Sequence, residues 1–428
     1  MLSESYLYTT EMVTETLDHL TTDGIVVAQF GETDPSTPSR TARYVATARA
    51  ALEEMGVTDP SRHLLVATST DPFTGGLSTI VVSRSPLAAD QSDRFATAVE
   101  ATSNGEVVYT PEEAAAGSGV AAMAGAADAG PLDRLVEEFP LDVHAITDDA
   151  PFFWHFTDFG EVVRTIGEPA GADYRERATG ERVLLLLLVV AGLFAVVFLL
   201  LPFVVIRRAW SQLPAKGTSA VYFAALGLGF MLFEITMIQQ LVGYLGYPSY
   251  SLTVTLASIL VFTGIGALLS TRFDTAPTRA LPVLLGVLAA LTVGYRFGIA
   301  PLVDSTLTAP FAVRVGIAFV LLAPLGLCLG MFMPFGLRTV ARLSAHPDEY
   351  VAWGWAINGV FSVIGSVLTT ILAMSWGFRT VQLLALATYT VAVGVLWRLD
   401  GIRRGREAAG SGEPVGPTGA AEVRSAAT

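Results

Sequence analysis

Cysteine, lysine and charge are all scarce in this sequence. Cys328 is the single cysteine among 428 residues, and Lys216 is the single lysine. One cysteine excludes an intrachain disulfide and a cysteine metal cluster. Charged residues make up 15% of the chain and hydrophobic residues 52%, whereas a typical soluble protein is roughly 25% charged. The net charge of −13 argues against a nucleic-acid partner, because phosphates select basic surfaces.

The charge that is present divides the chain into two parts. Residues 1–182 hold 30 acidic residues against 11 arginines, whereas residues 183–428 hold 9 acidic residues against 15 basic ones. The two parts therefore meet different surroundings. We predict a partial α/β domain over 1–167, a linker over 168–182, a seven-helix transmembrane domain over 183–398 and a disordered tail over 399–428.

Seven long apolar runs follow residue 182, and each exceeds the roughly 20 residues that cross a bilayer. This many apolar runs in succession predicts a multi-pass protein of the cell membrane, whose first partner is the lipid bilayer. The runs are 183–206, 218–243, 249–270, 280–300, 309–334, 350–374 and 377–397.

Arginines concentrate in alternate loops between these runs. The loops 207–217, 271–279 and 335–349 and the tail from 398 hold most of the basic residues after position 206. The positive-inside rule places these segments in the cytoplasm. Seven crossings then place residues 1–182 on the opposite side. Because no signal peptide opens the sequence at Met1–Met12, we expect either further spans upstream or a count that is wrong by one.

Polar residues interrupt two of the predicted spans. Glu234 lies in the middle of the second span, Gln239 and Gln240 follow it, and Asn358 lies in the sixth. A carboxylate at this depth is costly and should face protein or water. Two interpretations stay open: a proton or ion relay with a polar pocket, and a protonated Glu234 that hydrogen-bonds Asn358 or a backbone carbonyl.

The soluble part alternates between strand and helix patterns. Ile25–Phe30 is a continuous apolar run typical of a buried parallel strand, and Ser39–Met55 predicts an amphipathic helix. His63–Thr68 and Ser78–Ser83 predict a final pair of strands, and the Ala/Gly-rich residues 114–130 predict a loop or weak linker. This order is typical of the closing half of a doubly wound, Rossmann-like sheet.

Glycine-rich phosphate loops are missing from this pattern. Gly75–Gly76 and Gly117 with Gly119 do not follow a strand and open a helix, as a nucleotide-binding turn requires. We therefore assign no cofactor-binding residue and expect no cofactor for this chain alone.

Four segments resemble membrane-fused spermidine synthase-like proteins, the polyamine aminopropyltransferases. The first, YLYTTEMVTETLDHLTTDGIVVAQF, is similar to the entry into the fifth strand of their methyltransferase-type sheet, and TDDAPFFWHF to the Asp-Asp-x-Pro-Phe-Phe element that closes their soluble domain. Two further segments resemble their membrane helices: YFAALGLGFMLFEITMIQQLVGYLGYPSYSLTVTL and WGWAINGVFSVIGSVL.

The resemblance implies a transferase domain that uses S-adenosylmethionine or its decarboxylated form to transfer a methyl or aminopropyl group to a small amine. The family's cofactor glycines and catalytic acidic loop precede the matched segments, so no such residue is carried over. The resemblance therefore implies a truncated domain, with the sheet completed by an upstream polypeptide or a homo-oligomer. The alternatives are a transporter-like bundle and a scaffold with a non-catalytic soluble domain.

Asp148 and Asp149 are the candidate functional residues of the soluble part. Adjacent carboxylates can serve as a general acid and base or help to bind a cation. With His144 and His155 they form H-x3-D-D-x5-H, which matches no established metal spacing. The competing interpretation is a loop in which an Asp caps a turn and the following aromatic residues pack.

Overall fold

The structure is a computed structural model that describes residues 4–32, 34–71, 75–167, 178–205, 207–273, 277–344 and 346–410. The predicted linker lies outside the described residues from 168 to 177, and the predicted tail does so from 411. Contacts divide the chain into two compact units. The first is Met1–Val190 with Val367–Val381, and the second is Ala191–Ser366 with Gln382–Thr428.

The first unit contains a four-stranded sheet with the order β1-β3-β2-β4, in which every neighbouring pair is antiparallel. The predicted final pair of strands is confirmed as β2 and β3, with Val66 opposite Ile80. β4 was not predicted from the sequence. The strands are β1 (Ile25–Glu32), β2 (Leu64–Asp71), β3 (Gly75–Ser83) and β4 (Gly105–Tyr109).

β1 and β2 run in the same direction, because each is antiparallel to β3 between them. The prediction of a buried parallel strand at β1 was wrong. β1 pairs antiparallel with β3 at the edge of the sheet, and the side chains of Ile25 and Val27 are 48% and 53% exposed. The physical reason is that only the opposite face of β1, with Val26, Ala28 and Phe30, lies against the hydrophobic core.

Six helices accompany the sheet. α1 is capped by Thr9, whose hydroxyl accepts a hydrogen bond from the backbone N–H of Met12 at 3.3 Å. Val13 and Leu17 then lie one turn apart on its buried face. The helices are α1 (Thr10–Asp18), α2 (Ser39–Glu54), α3 (Ala89–Glu100), α4 (Gly119–Ala124), α5 (Ala129–Glu137) and α6 (Phe159–Arg164).

The prediction of a loop over 114–130 was wrong, because α4 lies within it. Ser118 caps this short helix by accepting from the N–H of Ala121 at 3.2 Å. Val120 and Met123 of α4 are buried in the core. Glycines at both ends concealed the apolar pattern of α4, and burial against α2 stabilises a helix too short to form alone.

Helices pack on both faces of the sheet. Val66, Ile80 and Val82 face one core, which also contains the buried residues of α1, α2 and α4. Leu65 and Val81 face the other side, where Leu87 and Phe95 from the α3 region cover them. Residues along a strand alternate between the two faces of a sheet. At β2 and β3 the sheet is therefore covered by helices on both faces.

Six helices among the described residues are long and apolar enough to cross a membrane. The chain is therefore a multi-pass membrane protein by length and composition. They are α7 (Thr179–Ala195, whose apolar stretch continues to Val205), α8 (Lys216–Gln240), α9 (Pro248–Leu269), α10 (Pro277–Thr306), α11 (Phe311–Ala341) and α12 (Pro347–Gly410).

The predicted count of seven spans is not confirmed, because the sixth and seventh runs join in α12. This element has 64 residues, which would extend roughly 96 Å at 1.5 Å per residue, against a hydrocarbon core of about 30 Å. Gly377 interrupts it with φ 79° and ψ 162°, a backbone conformation outside the helical region.

Glycines allow α9 and α11 to approach closely. A Cβ at Gly326 would lie 2.8 Å from the Cβ of Phe262, and one at Gly330 would fall on the backbone of Thr263. On α9, a Cβ at Gly266 would fall on the backbone of Leu327. The GxxxG spacing of α11 therefore packs as such glycines do in lipid, where small residues bring helix backbones together.

Candidate functional site

Residues 142–158, here called the closing segment, contain the candidate acids of the soluble part. The segment follows α5 and precedes α6, and it has no regular secondary structure. A buried arginine, Arg43 of α2, holds it in place. The guanidinium Nη1 donates to the carbonyls of Phe153 at 2.8 Å and His155 at 2.6 Å, and Nη2 forms an ion pair with Asp142 at 3.0 Å.

Arg43 and Asp142 form a charge pair within the first unit. The guanidinium of Arg43 also lies 4.4 Å from the ring centre of Phe156. Burial alone would raise the pKa of Asp142, but the charge of Arg43 and hydrogen bonds from His144 outweigh it and hold that pKa below its usual value. Arg43 is buried, whereas the Asp142 side chain is 41% exposed, so removing Asp142 would leave a buried guanidinium without this counter-charge. Arg43 is a positioning residue for the closing segment.

Asp148 faces α1. Its carboxylate accepts a hydrogen bond from the Thr9 hydroxyl at 2.7 Å, and its backbone N–H donates to the carboxylate of Glu11 at 2.9 Å. Burial raises the pKa of Asp148, while the Thr9 hydrogen bond and the charge of Arg379 oppose the shift. Burial also raises the pKa of Glu11. An acid with a raised pKa is a candidate proton donor or acceptor.

Asp149 points to the interruption of α12 instead. Its carboxylate accepts from the backbone N–H of Arg379 at 2.9 Å, and its carbonyl accepts from the N–H of Phe378 at 2.9 Å. A Cβ at Gly377 would fall on the same carboxylate. The two neighbouring acids therefore have different hydrogen-bond partners.

The two histidines of the H-x3-D-D-x5-H pattern do not meet. His144 is exposed and its Nδ1 lies 2.8 Å from a carboxylate oxygen of Asp142. His155 is buried, and its Nδ1 lies 2.7 Å from a carboxylate oxygen of Glu181, which is also buried. Throughout the described ranges, no group of three or more His, Cys, Asp or Glu side chains has a metal-binding arrangement.

The intramembrane candidates are also separate. Glu234 of α8 is 6% exposed, and no described residue forms a hydrogen bond or ion pair with its carboxylate. The expected contact with Asn358 is absent from the described part, because the Asn358 amide donates to the carbonyl of Phe223 at 3.4 Å. Gln239 is half-buried on the same helix.

Gln382 of α12 is a polar residue that the sequence reasoning missed. Its amide donates to the side-chain oxygen of Gln240 at 3.0 Å, and Gln382 itself is buried. The signal was present as a lone glutamine in an apolar run, TVQLLAL. Buried amides in adjacent membrane helices join by such hydrogen bonds. Arg43 was also missed. The sequence predicted an amphipathic helix at α2, and charged residues of such a helix are expected on its solvent-facing side.

Comparison of the chain with family models, with curated proteins and with solved structures gives no match. The candidate functional residues form two separate groups, one in each unit: the acids that contact Arg43 and α1 in the first, and Glu234 and the Gln240–Gln382 pair in the second.

Proposed function

We propose that this chain is a seven-crossing membrane protein whose soluble part is the closing portion of a methyltransferase-type α/β domain. The complete domain would transfer an aminopropyl or methyl group from an S-adenosylmethionine-type cofactor to a small amine. The observation that carries the proposal concerns β1. Among the described residues, no strand pairs with its outer edge, and one of its faces is uncovered.

The connection from β1 to β2 supports an α/β domain. Strands that run in the same direction need a crossover connection, and α2 provides it. Helices cover both faces of the inner strands, as they do in α/β folds. β3 lies antiparallel between β1 and β2, so every neighbouring pair of the described sheet is antiparallel, and it is the α2 crossover that supports the α/β assignment.

The uncovered face of β1 and β3 lies beside the outer edge of β1, and an exposed Gln29–Thr79 hydrogen bond stands among its apolar side chains. Ile25, Val27 and Leu77 are 48%, 53% and 44% exposed, and the pairing of Val27 with Val81 puts them on the face that α3 covers elsewhere. No described strand pairs with the outer edge of β1. An exposed apolar edge of this kind is a site for pairing with another strand. We propose that an upstream polypeptide segment supplies the missing strands, the cofactor-binding turn and the helix layer.

Seven crossings follow from dividing α12 at Gly377. Asp149 caps the backbone that follows Gly377, so the soluble domain and this turn lie on one side of the membrane. The alternating arginine-rich loops support a topology in which the same two segments lie opposite the cytoplasm and the tail from residue 398 lies in the cytoplasm. The contact between Asp149 and the backbone after Gly377 and the distribution of arginines thus support the same topology independently.

The test is photo-crosslinking in the native membrane, with p-benzoylphenylalanine in place of Val27. We expect a crosslink, mapped by mass spectrometry, to a segment containing a strand, a glycine-rich turn and a helix. The assembly isolated with that segment should bind S-adenosylmethionine or its decarboxylated form with micromolar Kd, and this chain alone should bind neither.

The control is the same photoreactive residue at Glu106, which is exposed on β4 at the other edge of the sheet. It should give no crosslink to that segment. A Val27 crosslink to a second copy of this chain, or cofactor binding by the chain alone, would contradict the proposal.

A transporter-like bundle is the second candidate, and the environment of Glu234 favours it. A buried membrane carboxylate without a described partner is a functional-site hypothesis by default. Glu234→Gln separates the two: loss of substrate or ion flux in proteoliposomes, with normal folding, would favour transport over a structural role.

A further inference from the structure

A surface cavity of about 510 Å³ lies beside α6, within the first unit. Its lining residues come from two distant parts of the sequence. Asp158, Phe159, Glu161 and Arg164 belong to α6 and its start, and the Ser375–Trp376 pair directly precedes Gly377 in α12. A cavity of this size falls within the usual range for small-ligand sites, roughly 300–1,000 Å³.

The cavity offers charges of both signs. Asp158 and Glu161 supply two carboxylates, and Arg164 supplies one guanidinium. Among the described residues, none of these three side chains takes part in an ion pair or a side-chain hydrogen bond. The floor is Phe159, which is buried at 9% exposure. A ligand with a cationic end and an anionic end is therefore complementary to the cavity.

The surroundings of the cavity are suited to a lipid surface. Trp376 is 59% exposed, and Val163 and Ile166 next to α6 are 54% and 67% exposed. Tryptophan is enriched where a membrane meets water. The position of Trp376 at that boundary rests on the proposed division of α12 at Gly377.

We infer that this cavity binds the headgroup of a zwitterionic phospholipid with a primary ammonium, that is, phosphatidylethanolamine. The ammonium lies between the carboxylates of Asp158 and Glu161, and the phosphate lies against Arg164. The Ser375 hydroxyl donates to the carbonyl of Ile371 at 2.9 Å and lines the cavity without being counted as a phosphate donor. A primary ammonium donates three hydrogen bonds to carboxylates, whereas the quaternary ammonium of phosphatidylcholine donates none. Two carboxylates disfavour anionic headgroups.

The experiment is native mass spectrometry of the full chain, equilibrated with equimolar phosphatidylethanolamine, phosphatidylcholine and phosphatidylglycerol. We expect wild type to retain phosphatidylethanolamine about tenfold over phosphatidylcholine, the scale of one or two charge-assisted hydrogen bonds. Asp158→Asn with Glu161→Gln should bring this ratio near one. Arg164→Gln should weaken retention of both zwitterionic lipids.

The matched control is Asp133→Asn with Glu137→Gln, which removes two exposed acids from α5 and should leave the ratio unchanged. An unchanged ratio in the α6 double variant would overturn the inference. Displacement of the lipid by soluble phosphoethanolamine at equal concentration would also overturn it, because the ligand would then be a free amine phosphate.

The proposed topology is tested separately, by labelling a cysteine at position 375 from outside. Outside labelling of Ser375→Cys, together with no lipid preference in the unlabelled wild-type chain, would contradict the headgroup site alone, whereas protection of Ser375→Cys from the outside reagent would contradict the topology.

Discussion

The carboxylate of Asp149 accepts a hydrogen bond from the backbone N–H of Arg379 at 2.9 Å, across 230 positions of the sequence. The Asp149 carbonyl accepts from the neighbouring N–H of Phe378. Both amides follow Gly377, where α12 leaves the helical conformation. The first N–H groups of a helix have no partner within it, so Asp149 caps the helix that begins after Gly377. A residue that the sequence suggested as a catalytic acid thus has a clear structural role.

Replacing Asp149 should destabilise the protein through this cap. We expect Asp149→Ala to cost about 0.5–2 kcal/mol, the usual range for a lost helix cap. Asp149→Asn should cost less, since its amide oxygen can still accept from Arg379. The measurement is thermal unfolding of the full chain in detergent, followed by circular dichroism. Asp133→Ala, at an exposed position on α5, is the control, and an Asp149→Ala variant as stable as this control would contradict the role.

Gly377→Ala should have a larger effect than Asp149→Ala. A φ of 79° costs a residue with a Cβ about 1–3 kcal/mol, and that Cβ would also collide with the Asp149 carboxylate. The control is Gly394→Ala in the same element, where a Cβ meets nothing within 4 Å. Equal unfolding temperatures for the two alanine variants would argue against an obligatory break at Gly377.

Single cysteines can test the membrane topology. In a Cys328→Ala background, Ser211→Cys and Arg272→Cys should resist an impermeant maleimide in intact cells and react after permeabilisation. Leu307→Cys and Ser375→Cys should react from outside, because odd and even loops lie on opposite sides. All four positions are exposed in the structure. Labelling of Ser211→Cys from outside would reverse the orientation, and protection at position 375 with labelling at 307 would favour six crossings.

The sequence predicted those features that local periodicity and composition determine. The apolar helices, the β2–β3 pair and the close approach at Gly326 and Gly330 all follow from residue type and spacing. The burial of β1 could not be predicted in this way. IVVAQF has the apolar residues of a strand, but the sequence does not show which face of that strand is covered. The buried face of β1 packs on the core that contains α1 and α2, whereas α3, more than fifty residues after β1, covers the other face of the sheet only at Leu65 and Val81.

Long-range polar contacts were the part of the candidate site that could not be predicted. Arg43 lies in a helix whose other residues suggested a solvent-facing charge, and its partners are carbonyls about 110 positions away. Carbonyl acceptors carry no residue identity, so no motif marks them. The different environments of Asp148 and Asp149 could not be predicted for the same reason. Each acid contacts a residue that is distant in the sequence, Thr9 for Asp148 and Arg379 for Asp149.

Glu234 should be uncharged in the membrane. A charged residue at mid-membrane costs about 2.5–3.5 kcal/mol on translocon scales. Glu234→Gln removes only the acid and should leave the unfolding temperature of the full chain close to that of wild type. Glu234→Lys should lower it strongly or prevent membrane insertion. The comparison is Gln239→Lys, at a half-buried position on the same helix. An equal fall of the unfolding temperature in both lysine variants would show that the burial of position 234 does not increase the cost of a charge there.

Asp142 and Asp148 should change stability with pH in opposite directions. The folded-state pKa of Asp142 lies below its ordinary value of 3.8, so its contribution to stability is present above that pH and is lost on acidification. The folded-state pKa of Asp148 is raised above 3.8 by burial. Its favourable contribution is therefore present at low pH and is lost as the pH rises through the folded-state pKa.

Asparagine variants isolate these two contributions. At pH 7 we expect Asp142→Asn to open the closing segment more readily than wild type, because Arg43 loses its partner, and Asp148→Asn to open it less readily. On acidification Asp148→Asn should converge on wild type first, whereas Asp142→Asn should stay distinct until the pH falls below the lowered folded-state pKa of Asp142, because only a protonated aspartate is neutral like asparagine. Hydrogen–deuterium exchange over residues 142–158 of the full chain, from pH 3 to 8 and corrected for intrinsic rates, measures this locally. Shifts of the same sign in both variants at pH 7 would refute the assignment, because the charge of Arg43 and the desolvation of Asp148 would then not distinguish the two acids.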